Sequence, residues 1–179
     1  MKTLDIEKIN RNNFKALMNA LSMPGSIHTI EQLFSSNILA IANTLLYSEV
    51  EYFYEGEEDM SLIEAITFSK KASNEKADYI FADCINENLF LKTKKGTSKD
   101  PEFSGTLIFK CQDFNKGSLV ELSGPGINIS KRLKIPLSKS FIAQFNQKNE
   151  FYPLGNEIIL VSEEGSVMAF SRTTKIKVI

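Results

Sequence analysis

The sequence predicts an α/β fold, a three-layer α/β/α sandwich built on a mixed sheet. Short β-rich runs such as the "IILV" of "EIILVS" are too apolar for a half-exposed strand and suit one covered on both faces. Segments with helical spacing are interleaved with those runs, which places helices over the sheet. Near the end, "EEG" joins "EIILVS" to "SVMAFS" closely enough for a hairpin, so the sheet contains an antiparallel pair.

The elements follow in order. Phe14, Leu17, Met18 and Leu21 fall at i, i+3, i+4 and i+7 and predict a first helix with one apolar stripe. "SMPG" stops it, because Pro24 biases Met23 out of the helical region and Gly25 can take a positive φ. A second helix covers 37–47, capped by Ser35 or Ser36, with Ile38, Ile41, Ala42 and Leu45 as its stripe. A third starts at Ser61, where "SLIE" sets Glu64 at capping-box spacing ahead of a face of Ile63, Ala65, Ile66 and Ser69. A late helix over 138–147 presents Phe141, Ile142 and Phe145. Strands are expected in "VEYFYEG", "DYIFA", "GTLIFKC", "GSLVELSG", "EIILVS", "SVMAFS" and "KIKVI". The charged stretch 92–105 reads as a surface loop, with a phosphate-binding loop as the alternative.

Bulk properties bound the function. With 179 residues, 42% apolar and 10% aromatic, the chain fits one domain over 1–179. A domain of this size buries roughly 70% of its unfolded surface, so no disulfide or structural metal is required. Lys and Arg number 21 against 22 Asp and Glu, with a pI near 6.0, whereas nucleic-acid binders carry a basic face. No nucleic-acid partner is expected. No run of 18 apolar residues and no amino-terminal apolar segment occurs, so neither a membrane nor export is expected and a cytoplasmic location is. Cys84 and Cys111 lack metal-site spacing and read as small buried hydrophobes.

Chemistry-bearing motifs are sparse. His28 is the only histidine and reads as a packed or turn-stabilising residue, so a Ser-His-Asp or Cys-His arrangement would have to include it. "GEED", 56–59, offers adjacent carboxylates that cannot all face one pocket and suit a helix start. "SGPG", 123–126, matches no phosphate-loop pattern, and Pro125 removes a backbone donor, so it reads as a corner or, alternatively, a ligand-gripping loop. "SRTT", 171–174, crowds a guanidinium and three hydroxyls, which suits either an anion or a structural arginine. No metal ligand set is expected.

Six stretches in order, "NFKALMNALSMPGSIHTI", "KADYIFAD", "GTSKDPEFSGTLIF", "LVELSGPGI", "FYPLGNEIILV" and "FSRTTKI", resemble the motifs of the PhnH family. That family is the H subunit of the bacterial carbon-phosphorus lyase core complex, and the resemblance spans about residues 12 to 178. The chain departs from the pattern at Tyr152, where the family has Phe, at Glu157, where it has Asp, and at Ser171, where it has Pro.

The resemblance implies a fold like the large domain of pyridoxal-phosphate-dependent transferases, without that cofactor and with no other. It implies an accessory, non-catalytic subunit of the phosphonate-degrading complex, partnered by its G, I and J subunits and a homodimer in isolation. With them it would support coupling of an alkylphosphonate to the ribose of ATP. Two isolated cysteines cannot hold an iron-sulfur cluster, in keeping with that part. Candidate ligand-binding or interface residues are Pro24, Gly25, Ser123, Gly124, Pro125, Gly126, Gly155, Arg172, Thr173 and Thr174. Two other readings stay open: an independent enzyme acting on a phosphorylated substrate through "SGPG" and Arg172, and a nucleotide-sensing module within the complex.

Overall fold

The computed structural model describes residues 5–179. Helix α1 (Ile6–Ser22) opens at Asp5, whose carboxylate accepts the Lys8 N–H at 3.1 Å. It ends where expected, with Met23 out of the helical region and Gly25 at φ 75°. Its buried face differs from the expected stripe. Leu17 is buried and Leu21 packs on the core as expected, but Phe14 and Met18 are 51% and 48% exposed, and Ile9, Asn13, Ala16 and Ala20 take their place on the buried side. Asn13 is tolerated there because its amide donates to Glu31 O at 2.9 Å and accepts the Glu31 N–H at 2.8 Å.

Helix α2 (Asn37–Leu45) is capped by the Ser36 hydroxyl, which accepts the Leu39 N–H. Helix α3 (Ser61–Thr67) corrects the capping-box reading. Ser61 is inside the helix, and the Asp59 carboxylate takes both its N–H and its hydroxyl at 2.9 Å. Glu64 turns away to accept the Tyr52 hydroxyl at 2.5 Å and pair with Lys71. Phe68 then ends α3 in a left-handed conformation, which leaves Ser69 outside it and Ile66 exposed. Helix α4 (Glu87–Lys92), capped by Asn86, was not anticipated. Helix α5 (Lys139–Lys148) is capped by Ser138 and buries Phe141, Ile142 and Phe145.

The main sheet has seven strands in the order β1-β9-β8-β5-β4-β2-β3. Strands β2 (Glu51–Glu55), β3 (Lys70–Lys71), β4 (Tyr79–Ala82), β5 (Thr106–Cys111) and β8 (Glu157–Ser162) run parallel. Strand β9 (Ser166–Phe170) returns antiparallel through the predicted hairpin, and β1 (His28–Thr29) pairs on its far side. Both edge strands are two residues long.

Alternation sorts each strand onto two cores. On one face, Tyr52, Phe81, Ile108, Ile159 and Val167 pack with α1, α2 and α3. On the other, Ile80, Leu107, Phe109, Leu160 and Met168 meet α4, α5 and a second sheet. Ile158 to Val161 are all buried, each contributing about 1.5–3 kcal/mol of burial, which is why "IILV" reads as a two-sided strand.

The mixed-sheet sandwich is thus as expected, but one of its layers is part sheet. Strands β6 (Ser118–Ser123), β7 (Lys131–Ile135) and β10 (Lys175–Val178) form an antiparallel sheet in the order β10-β6-β7. Phe90 of α4 lies 5.1 Å from Phe141 and 5.9 Å from Phe145, centroid to centroid, and so joins α4 to α5. The Lys148 ammonium donates to the carbonyls of Phe90 and Thr93, closing the carboxyl end of α4.

Candidate functional site

A cavity of about 740 Å³ opens at the carboxyl ends of β4 and β5, the region where open α/β sheets place ligands. Asp83, Cys84 and Ile85 enter from the end of β4, and Lys110 to Asp113 from the end of β5. Ser118 at the start of β6 and Gly117 just before it, with Ser138 at the start of α5, complete the wall.

A charged network borders it. Lys110 Nζ lies 2.7 Å from Glu58 Oε1 and 3.5 Å from Asp83 Oδ1. The Tyr54 hydroxyl donates to Asp83 at 3.0 Å and accepts the Glu58 N–H at 3.0 Å, while the Glu57 N–H donates to the other Asp83 oxygen. "GEED" is therefore divided: Asp59 holds the start of α3, as the sequence suggested, and Glu58 turns to Lys110.

Burial disfavours the charge on Lys110, but the hydrogen bond and charge of Glu58, joined by Asp83, prevail and hold its pKa above the ordinary lysine value. It is a cation at neutral pH whose charge is met by Glu58 and Asp83, and it is not suited to nucleophilic attack. Burial, with the Asp83 hydrogen bond, raises the Tyr54 phenol, which remains a neutral donor. Burial and the Asp113 charge push the Cys111 thiol up to about 12. Contrary to expectation the cysteines are not core residues, since Cys84 is exposed and Cys111 half-buried. His28 bonds the Ser26 hydroxyl at 2.8 Å on edge strand β1 and does not line this cavity. Among the described residues no group of three His, Cys, Asp or Glu side chains is placed to hold a metal.

The predicted glycine corners meet elsewhere. Gly126 has φ 81°, and a Cβ there would fall 2.0 Å from Ser22 O and 3.1 Å from Pro24, so "SGPG" packs on the corner that ends α1. Gly124 abuts Thr173 and Thr174, and a Cβ on Gly25 would strike Leu122. The Ser171 hydroxyl bonds those of Thr173 and Thr174 at 3.0 and 3.1 Å. Gly155 touches Asn149 and the Cβ of Arg172.

Arg172 itself spends its guanidinium on the protein. Nη1 donates to Pro101 O and Pro153 O, each at 3.0 Å, Nη2 to Ser104 Oγ at 2.8 Å, and Nε faces Glu157 at 3.5 Å. It ties loop 92–105 and the segment around Pro153 to the start of β8, beside a cavity of about 310 Å³. Sequence reasoning thus found one packed corner of the molecule and missed the larger cavity. The signal available for it was that loops after parallel strands collect ligand-facing residues.

Several large apolar side chains stay open to solvent. Phe14 and Met18 stand one turn apart on α1, and Phe103, Phe151 and Tyr152 are 61%, 70% and 71% exposed. No helix among the described residues is long and apolar enough to cross a membrane.

Comparison with known proteins gives two findings. The model of a family described as "Bacterial phosphonate metabolism protein (PhnH)" matches residues 5–177. A protein of Stutzerimonas stutzeri named "Putative C-P lyase subunit protein HtxG" is 28% identical over 168 residues, covering 91% of this chain and 83% of that protein.

Proposed function

The chain belongs to the PhnH family of bacterial phosphonate metabolism proteins, and from that premise we propose that it is an accessory, non-catalytic subunit of the carbon-phosphorus lyase core complex. In this reading it assembles with the G, I and J subunits in the cytoplasm and supports coupling of an alkylphosphonate to the ribose of ATP. In isolation it forms a homodimer. The observation that carries the reading is the family match over nearly the whole chain. Exposed Phe14, Met18, Phe103 and Phe151 supply apolar area suited to subunit contacts.

The test is co-purification of the tagged chain from its host grown on a phosphonate as sole phosphorus source, followed by native mass. A stoichiometric assembly with the G, I and J subunits is expected. Recovery of the chain alone, with those subunits abundant, would overturn the proposal.

One observation favours a second reading, a ligand-sensing module. A cavity of about 740 Å³ is of a size to take a nucleotide or phosphonate ester, and Lys110 at its wall is cationic. Arg172 has its donors engaged by the protein, and Lys110 is itself paired with Glu58 and Asp83, so a bound anion would share Lys110 with those carboxylates. Calorimetric titration with ATP and with methylphosphonate separates the readings: saturable binding that Lys110→Met abolishes supports sensing, and flat traces remove it.

A further inference from the structure

Strands β4 and β5 pair in parallel from Tyr79↔Thr106 to Ala82↔Phe109, a register offset of 109 − 82 = 27. The two cysteines are separated by the same interval, 111 − 84 = 27. Continued two residues past the last ladder pair, the register sets Cys84 opposite Cys111. Between those positions the Asp83 and Lys110 side chains meet at 3.5 Å. Alternation places residues 80 and 82 on the same sheet face as 107, 109 and 111. Ile80, Ala82, Leu107 and Phe109 share one core cluster, and Cys111 packs against it.

Both cysteines line the large cavity. Neighbouring strands lie about 4.8 Å apart, and a disulfide spans Cα separations of about 4.4–6.8 Å. Cys84 is exposed and sits in a bend just beyond β4, outside the ladder that holds that strand to β5.

We propose that Cys84 and Cys111 form a redox-active pair that closes to a disulfide across the carboxyl ends of β4 and β5, with a low-molecular-weight disulfide such as glutathione disulfide as oxidant. The exposed Cys84 gives up its proton and its thiolate attacks one sulfur of the oxidant, breaking that S–S bond and releasing one glutathione, which takes up a proton. Cys111 then loses its proton, attacks the Cys84 sulfur of the mixed disulfide and expels the second glutathione, again protonated on leaving. Two protein thiols are oxidised by two electrons, and one glutathione disulfide is reduced to two glutathiones. Burial of Cys111, which keeps it a thiol at neutral pH, assigns it the second step and makes that step the slower one. The closed bridge pins the end of β4 to β5 and turns two thiols of the cavity wall into one apolar link.

The full-length chain is equilibrated in glutathione buffers of rising oxidised fraction, quenched with an alkylating reagent, and read by intact mass and peptide mapping. The expected product has lost both thiols together, is lighter by two hydrogens, carries no glutathione, and yields a peptide joining Cys84 to Cys111. Cys111→Ser is expected to stop at a glutathione adduct on Cys84, and Cys84→Ser to keep Cys111 free. A parent chain that accumulates glutathione on Cys84 while Cys111 stays alkylatable overturns the proposal, as does a dimer joined through Cys84 or a pair inert throughout the series. The parent chain decides the matter without either variant.

Discussion

Replacing Arg172 with methionine separates a structural clamp from a ligand contact. The side chain is 17% exposed, and methionine retains much of its apolar stem while deleting every donor. Pro101 O, Pro153 O and Ser104 Oγ then lose a partner, and Glu157 loses its counter-charge. A buried polar group left unmatched costs about 1–3 kcal/mol, and water can reach part of this site, so the loss should total about 3 kcal/mol. At about 2–4 °C per kcal/mol for a domain of this size, the thermal midpoint should fall by about 6–12 °C. Urea titration should show a lower midpoint with an unchanged slope, since the surface exposed on unfolding is the same. Arg172→Lys should recover only part of the loss, because an ammonium cannot reach three acceptors arranged for a planar fork. A methionine variant within about 0.5 kcal/mol of the parent, the range of an ordinary surface change, would refute the clamp. If that variant had also lost affinity for inorganic phosphate, the guanidinium would be a ligand group.

Three further outcomes are expected. Gly126→Ala should destabilise by about 2 kcal/mol or more in urea titration, because its Cβ meets a backbone oxygen at a positive φ, whereas Ser123→Ala at the same corner should be near neutral. Tyr52→Phe should cost about 1 kcal/mol at neutral pH. The hydrogen bond from Tyr52 is the main reason the Glu64 pKa lies below the ordinary value, so its stabilisation is complete above that value and fades as pH falls through the lowered one. The parent-to-variant gap, followed by urea titration, should therefore narrow in acid. Phe14→Ser with Met18→Ser should leave stability within about 0.5 kcal/mol, since both are half-exposed, while weakening self-association or subunit capture in native mass spectra.

What could be read from the residues depended on whether a local pattern determined the outcome. Helices α2 and α5 were legible because serine caps and apolar stripes agree. On α1 the stripe misled: Phe14 and Met18 carry the hydrophobicity, but Ala16, Ala20 and an amide-paired Asn13 occupy the buried side. Helix α4 is only six residues long, too short for a periodicity to declare itself. Strand β7, "KRLKI", presents Arg132 and Lys134 outward, and only its pairing with β6 identifies it. The corners at Gly25 and Gly126 were visible because glycine and proline report backbone geometry locally. The larger cavity was not, because the meeting of Asp83 with Lys110 depends on which strands are neighbours and in what register.

The two-residue margins of the main sheet decide how copies of this chain can meet. A long bare margin would invite another copy to add its own strand, and successive additions would grow without limit. Here one margin carries Lys70 and Lys71, whose repulsion resists an identical margin, and the other presents only His28 and Thr29. Growth by strand addition is thereby discouraged at both ends. As far as the main sheet is concerned, association falls to side chains on helices and corners, where contacts can close after a fixed number of subunits and leave a finite particle in place of a fibre.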